Sequence, residues 1–295
     1  MHRLYRSTLC EPFSFRGVGL HSGTSSRVTV RPAMAGAGIT FVRTDLPGRP
    51  RLPGRWDAVG SLRLCTTLRQ GDATVGTVEH LMAALAGMGV DDATVEVDGA
   101  EVPILDGSSG PFVGMIQEAG VRQGTIPLRW IEVTRTISIG DADRGARIEP
   151  ANGFSVDCSI DFGDQVVGKS RCNWNPATQP FSRISAARTF AFERDVIRMQ
   201  AAGLARGGSL ENAVVVGEHD VLNPGGTRFD DEFARHKLLD VVGDLALAKA
   251  PIQGRVVTWC AGHEMNNMLL RKLFASRDSW RWCVGGRHVM DACVA

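Results

Sequence analysis

One long helical pattern dominates the sequence: residues 231–250 place Ala234, Leu238, Val241, Leu245 and Ala248 on one face before Pro251 ends the run. A helix of that length has to bury its apolar stripe against another layer. Short alternating runs supply the layer. Val28-Thr29-Val30 and Ala93-Thr94-Val95-Glu96-Val97 read as strands, the second closed by the turn pair Asp98-Gly99. Residues 131–139, 146–148, 154–162, 213–216 and 255–259 carry further strand patterns, and shorter helical patterns lie at 77–88, 112–119, 195–202 and 266–275. Strands and helices are interspersed without the rhythm of a parallel sheet and without a glycine-rich phosphate loop, so the expected class is α+β in two layered domains. Gly120, Gly124 and Pro127 mark a linker over 120–127, which divides the chain into units 1–124 and 125–295.

The 295 residues are 43% hydrophobic and 22% charged, the balance of a globular chain in water. Each unit is large enough to bury a core without a structural metal or disulfides. Lys and Arg total 33 against 32 for Asp and Glu, so no net field draws the chain to nucleic acid or to an anionic membrane. The seven cysteines are scattered and contain no C-x-x-C pair, which fits a reducing cytoplasm. No apolar segment follows Met1 to make a secretory signal, and no run approaches the roughly 18 residues of a membrane span, so stable membrane insertion is not expected.

The polar side of the long helix carries the chemistry. His236, Asp240 and Asp244 stand four apart, so successive side chains are offset by only about 40° and form one stripe. That stripe is expected to look out of the core toward a cleft, with Lys237 on the flank nearest Asp244. Imidazole and carboxylate at this spacing can reach one ion from the same side, and the pairing suits zinc. On its own, His-x-x-x-Asp is better explained as a solvated face with i,i+4 pairs. A catalytic zinc takes three protein ligands and keeps one position open, so a third must come from elsewhere. Glu79-His80 offers it from the first turn of the helix at 77–88. Adjacent side chains there diverge by about 100°, so one can bind metal while the other handles protons. Singly, His80 also reads as a core histidine and Glu79 as a complement to the helix N-terminus. His263, on a loop past the strand at 255–259, adds a candidate general acid.

These residues sit inside longer motifs. Thr77-Val78-Glu79-His80-Leu81-Met82-Ala83-Ala84-Leu85-Ala86-Gly87 is followed by Val102-Pro103-Ile104-Leu105-Asp106-Gly107-Ser108. Gly17-Val18-Gly19-Leu20-His21-Ser22-Gly23, Leu64-Cys65-Thr66-Thr67, Ala187-Arg188-Thr189-Phe190, Gly207-Gly208-Ser209, Arg235-His236-Lys237-Leu238-Leu239-Asp240 and Gly262-His263 complete the set. In kind and order they resemble the zinc-dependent UDP-3-O-acyl-N-acetylglucosamine deacetylase family of lipid A synthesis, from about Arg6 to beyond Asn267.

The resemblance implies two domains of similar α+β fold, each a sheet backed by helices, with the active site between them. It implies His80, His236 and Asp240 as zinc ligands, a set that also suits ferrous iron. Glu79 would be the general base and His263 the imidazolium that assists collapse of the intermediate, with Asp244 orienting it. Thr189 would support the oxyanion and Lys237 would add positive charge. Phe162, Phe190, Phe192 and Gly208 would contact substrate, and residues 190–221 would line an acyl passage, with a small core as the plainer reading of that segment. The substrate would be a UDP-linked acylated amino sugar, handled by a cytoplasmic monomer. Cys65 would lie near the metal without ligating it, and His21 would border the site, although Gly17, Gly19 and Gly23 explain its loop as a turn.

Two stretches depart from the family pattern. Asp161-Phe162 is followed by Gly163-Asp164-Gln165 where a His-Pro pair is usual, and Cys260 stands where a basic residue is common. Both lie where the family handles the nucleotide, and Arg144 and Lys169 are the candidates to compensate. A paralogue acting on another acylated amino sugar, and a non-catalytic metal-binding protein of the same fold, are the competing readings.

Overall fold

The computed structural model describes residues 3–284. Its helices are α1 (Glu79–Gly87), α2 (Gly110–Ala119), α3 (Ser182–Ser185), α4 (Glu193–Ala201), α5 (Glu232–Ala246) and α6 (His263–Ala275). A five-stranded sheet runs Phe13–Val18, Ser25–Pro32, Ala93–Val97, Ile39–Arg43, Arg51–Pro53 in spatial order, with Ala93–Val97 and Ile39–Arg43 the one parallel pair. Beside it Val59–Ser61, Thr67–Gln70 and Ala73–Val75 form a three-stranded meander. A seven-stranded mixed sheet is drawn entirely from residues 129–284, with Ile252–Trp259 paired in parallel with both Arg129–Val133 and Phe154–Asp161. This is an α+β fold.

Four expectations change. Residues 121–127 are a strand: Val121–Pro127 pairs antiparallel with Tyr5–Leu9, a partner over a hundred residues away that local composition cannot reveal. The expected strand at 131–139 is two strands, Arg129–Val133 and Ile137–Gly140, because the Thr134 and Arg135 amides turn away to donate to Ser279 O. His263 is the first residue of α6, with Gly262 as its N-cap, and not part of a loop. Finally, the stripe on α5 does not look outward: His236, Asp240 and Asp244 are all buried.

They are buried because α1 lies across them. Gly243 permits this, since a Cβ there would stand 2.1 Å from the backbone oxygen of Glu79. Around that crossing Leu81, Met82 and Leu85 of α1 and Leu238, Leu239, Val242 and Leu245 of α5 join one apolar core, each large side chain contributing about 1.5–3 kcal/mol of burial. Polar groups sealed into such a core have to be paired or to hold a ligand.

Candidate metal centre and active site

Where α1 crosses α5, three ligand groups converge. His80 Nε2 lies 3.5 Å and His236 Nε2 3.4 Å from the same atom, Asp240 Oδ1. One donor atom from each residue falls within 4.8 Å of the others. Asp240 Oδ1 is buried without a hydrogen-bond partner, while its other oxygen accepts from Lys237 Nζ at 2.9 Å. Lys237 therefore serves Asp240 directly, with Asp244 a further negative charge acting on it. The orphaned oxygen facing two imidazole nitrogens fits a divalent cation, and the N,N,O donor set suits zinc or ferrous iron.

Electrostatics keep His236 and Asp240 in the protonation states that a cation would need. Burial pushes His236 down to about 4, so it stays neutral, and Nδ1 sits 3.0 Å from the Ala187 carbonyl. Donation from Nδ1–H leaves the Nε2 lone pair turned toward the other ligands. Burial alone would raise Asp240, but His236 and Lys237 outweigh it and hold the carboxyl well below its usual range. The irregular stretch after α3 that carries Ala187 is fixed to the start of α5 by Arg188, whose guanidinium and backbone N–H both donate to the buried Glu232.

Beside the cluster stand two buried titratable groups. His263 Nε2 lies 3.8 Å from Glu79 Oε1, and His263 Nδ1 lies 2.8 Å from Asp244 Oδ2. Burial raises the Glu79 carboxyl to about 7, against the pull of His263. Burial opposes charge on His263, yet Asp244 first and Glu79 second raise it to about 10. A carboxyl near neutrality facing a stabilised imidazolium is an arrangement able to accept and deliver protons.

Two residues of this network carried no role in the sequence reading. Thr66 donates its backbone N–H to Glu79 Oε2 at 3.0 Å and its hydroxyl to Asp244 Oδ1 at 2.6 Å. Asn266 Nδ2 donates to Asp244 Oδ2 at 2.8 Å. Asn266 stands three residues after His263, a spacing that gives a shared helix face once His263 is known to begin α6. Leu64, Thr77 and Cys260, each within three residues of Thr66, Glu79 or His263, take positive φ angles of 69°, 54° and 46°. Such non-glycine strain gathers at sites where geometry is over-determined.

The remaining candidates divide. Phe162, Phe190 and Phe192 form one aromatic group, with Phe162 packed 5.7 Å from each of the others. Phe190 reaches the cluster, since Lys237 Nζ lies 5.5 Å over its ring and His236 lies 6.5 Å from it. Thr189 is next to Phe190, held by its N–H to Gly107 O at 2.8 Å. Gly208 is not brought to this group: its amide donates to Ala205 O and it packs near Leu20. The His21 loop is pinned by Glu101, which accepts the His21 and Ser22 amides and the Thr77 hydroxyl. Cys65 is buried and stays outside the three-ligand group. The six cysteines among the described residues are free thiols, and Cys293 lies outside those residues.

Asp164 and Cys260, the points of departure, are locally engaged. Asp164 Oδ1 accepts the Val166 amide, and Cys260 Sγ donates to Asp161 O. Arg144 pairs with Glu264 at 3.4 Å and Lys169 with Asp161 at 3.1 Å, both on the surface.

Residues 6–275 match the family model described as UDP-3-O-acyl N-acetylglycosamine deacetylase. The chain belongs to that family. Among curated relatives, UDP-3-O-acyl-N-acetylglucosamine deacetylases of Anaeromyxobacter dehalogenans, Myxococcus xanthus and Shewanella woodyi are 50%, 48% and 42% identical to it. These matches cover 93%, 96% and 94% of this chain and 89%, 91% and 92% of the relatives. The deacetylase family is one of metalloenzymes, so the non-catalytic reading finds no support in the comparisons, and the Glu79–His263 pair beside the ligand cluster argues against it physically. No helix among the described residues is long and apolar enough to cross a membrane.

Proposed function

We propose that this chain hydrolyses the N-acetyl group of a UDP-linked, 3-O-acylated N-acetylglucosamine, giving acetate and the free amine. The observation that carries this reading is the placing of Glu79 and His263, 3.8 Å apart, beside a three-ligand cluster. His80, His236 and Asp240 would hold zinc, which would supply the acidity of the attacking water and the polarisation of the amide carbonyl. Glu79 takes the proton of that water. His263, charged and oriented by Asp244, stabilises the tetrahedral intermediate and protonates the leaving amine. Lys237 fixes Asp240, and Thr189 assists the oxyanion.

Residues 190–221 receive the acyl chain. In support, α4 buries none of its residues, Ile197 is 65% exposed, and Leu210 and Phe162 are each 43% exposed. A small closed core would hide these side chains, whereas a lipid passage keeps them open. A division into two units belongs to the same reading, supported by the five-stranded sheet lying wholly before residue 124 and the seven-stranded sheet wholly after it, with the strand Val121–Pro127 going with the first unit through its pairing to Tyr5–Leu9. So do a monomeric state, since one chain supplies every site residue, and a cytoplasmic location, which the free thiols suit. The test is release of acetate from UDP-3-O-acyl-N-acetylglucosamine, with metal content measured on the same sample. No acetate from metal-loaded protein would refute the assignment.

A further inference from the structure

Thr66 spends all three of its polar groups inside the centre. Its N–H holds Glu79 Oε2 at 3.0 Å, its hydroxyl holds Asp244 Oδ1 at 2.6 Å, and its carbonyl accepts the Val78 amide at 3.3 Å, one residue before α1. It is wholly buried. The residue thus touches the proton acceptor on one side and, on the other, the carboxylate that holds the proton donor. We infer that Thr66 is a positioning residue that sets the proton-accepting carboxylate of α1 and the imidazole of α6 in register with one another. This rests on the roles given above to Glu79 and His263.

Asp244 Oδ2 already accepts from His263 Nδ1 and from Asn266 Nδ2. The Thr66 hydroxyl is the donor to Oδ1, and a carboxylate oxygen offers it no proton in return, so the direction of the bond is fixed. Without that hydroxyl the Asp244 carboxylate loses the contact that sets its plane, and the His263 ring loses its aim. The Glu79 contact comes from the backbone and survives side-chain exchange. Thr66→Val therefore removes one arm of the bridge while keeping the shape and the other arm. Outer partners of this kind typically matter by about 10- to 100-fold in activity.

The test compares Thr66→Val and Thr66→Ser in the zinc-loaded protein, with two readouts. In deacetylation kinetics the valine variant keeps full metal content and an unchanged KM while kcat falls, and serine restores kcat. In protein labelled with 15N-histidine, the His263 ring resonances move in the valine variant and return in the serine variant, with no substrate present. Wild-type kcat in the valine variant, unmoved His263 resonances, or a serine variant as impaired as valine would each overturn the proposal, the last by showing that the methyl group packs and the hydroxyl is idle. If wild-type protein released no acetate while the resonances responded as expected, the functional reading would fail and the positioning role would stand.

Discussion

Lys237 Nζ donates to Asp240 Oδ2 at 2.9 Å, one turn along the same helix, and so turns Oδ1 of that carboxylate toward His80 and His236. A ligand carboxylate pinned at one oxygen is pre-oriented at the other. Lys237→Met keeps the apolar stem and removes the pin. Affinity for the divalent ion is expected to fall about 10-fold or more, read by competition with a chromophoric chelator. An unchanged affinity would leave Lys237 with no part in shaping the ligand set.

The proton carriers give the pH dependence its form. Glu79 has to be deprotonated to accept a proton, so activity rises as pH climbs through its pKa, which burial lifts from 4.5 toward about 7; a bound cation pulls that limb back down within this window. His263 has to be protonated, so activity is lost as pH rises through a pKa lifted from 6.5 toward about 10. Asp244 is the main group raising it, so Asp244→Asn moves the alkaline limb of kcat/KM to lower pH. Glu79→Gln keeps the metal and costs about 100-fold or more in turnover if the base has its usual worth. An Asp244→Asn profile with its alkaline limb in place would remove Asp244 from its assigned role.

The open apolar side chains of residues 190–221 make a prediction about ligands. A hydroxamate chelator carrying an apolar tail should bind more weakly as the tail is shortened, by up to about 0.8 kcal/mol for each methylene no longer buried. Inhibition constants across a series of tail lengths decide it. Potency indifferent to tail length would place the acyl chain elsewhere.

Gly243 sets how closely α1 approaches α5. A methyl group there meets the Glu79 backbone oxygen at 2.1 Å, and backbone cannot swing aside as a side chain can. Gly243→Ala should therefore cost about 1–3 kcal/mol of stability from overpacking and weaken metal binding at the same time, because His80 rides on the displaced helix. Thermal unfolding with and without added zinc measures both. A stable variant that binds metal normally would show that the crossing has more slack than the geometry allows.

The parts of the centre legible in the sequence are those that helical periodicity encodes locally. His236, Asp240 and Asp244 share a face because they are four apart, and Glu79 and His80 reach different partners because they are adjacent. What periodicity cannot express is what lies opposite. The stripe on α5 read as cleft-facing because nothing local announces that α1 covers it through Gly243. Thr66 and Asn266 escaped assignment for the same reason, since their partners, Asp244 for both and Glu79 for Thr66, become visible only once separate segments are brought together. In the fold, residues 121–127 looked like a linker because a strand with exposed Val121 and Ile126 has no inward face to betray it; its partner is at the other end of the first unit.

The ligand set is split between helices that the sequence keeps far apart: α1 brings one imidazole, and α5 brings the other imidazole and the carboxylate. Neither helix alone offers enough contacts to retain an ion against water. Any cation captured there acts as a cross-link, closing a loop of more than half the chain, and by thermodynamic linkage the grip on the ion and the docking of the two helices must strengthen and weaken together.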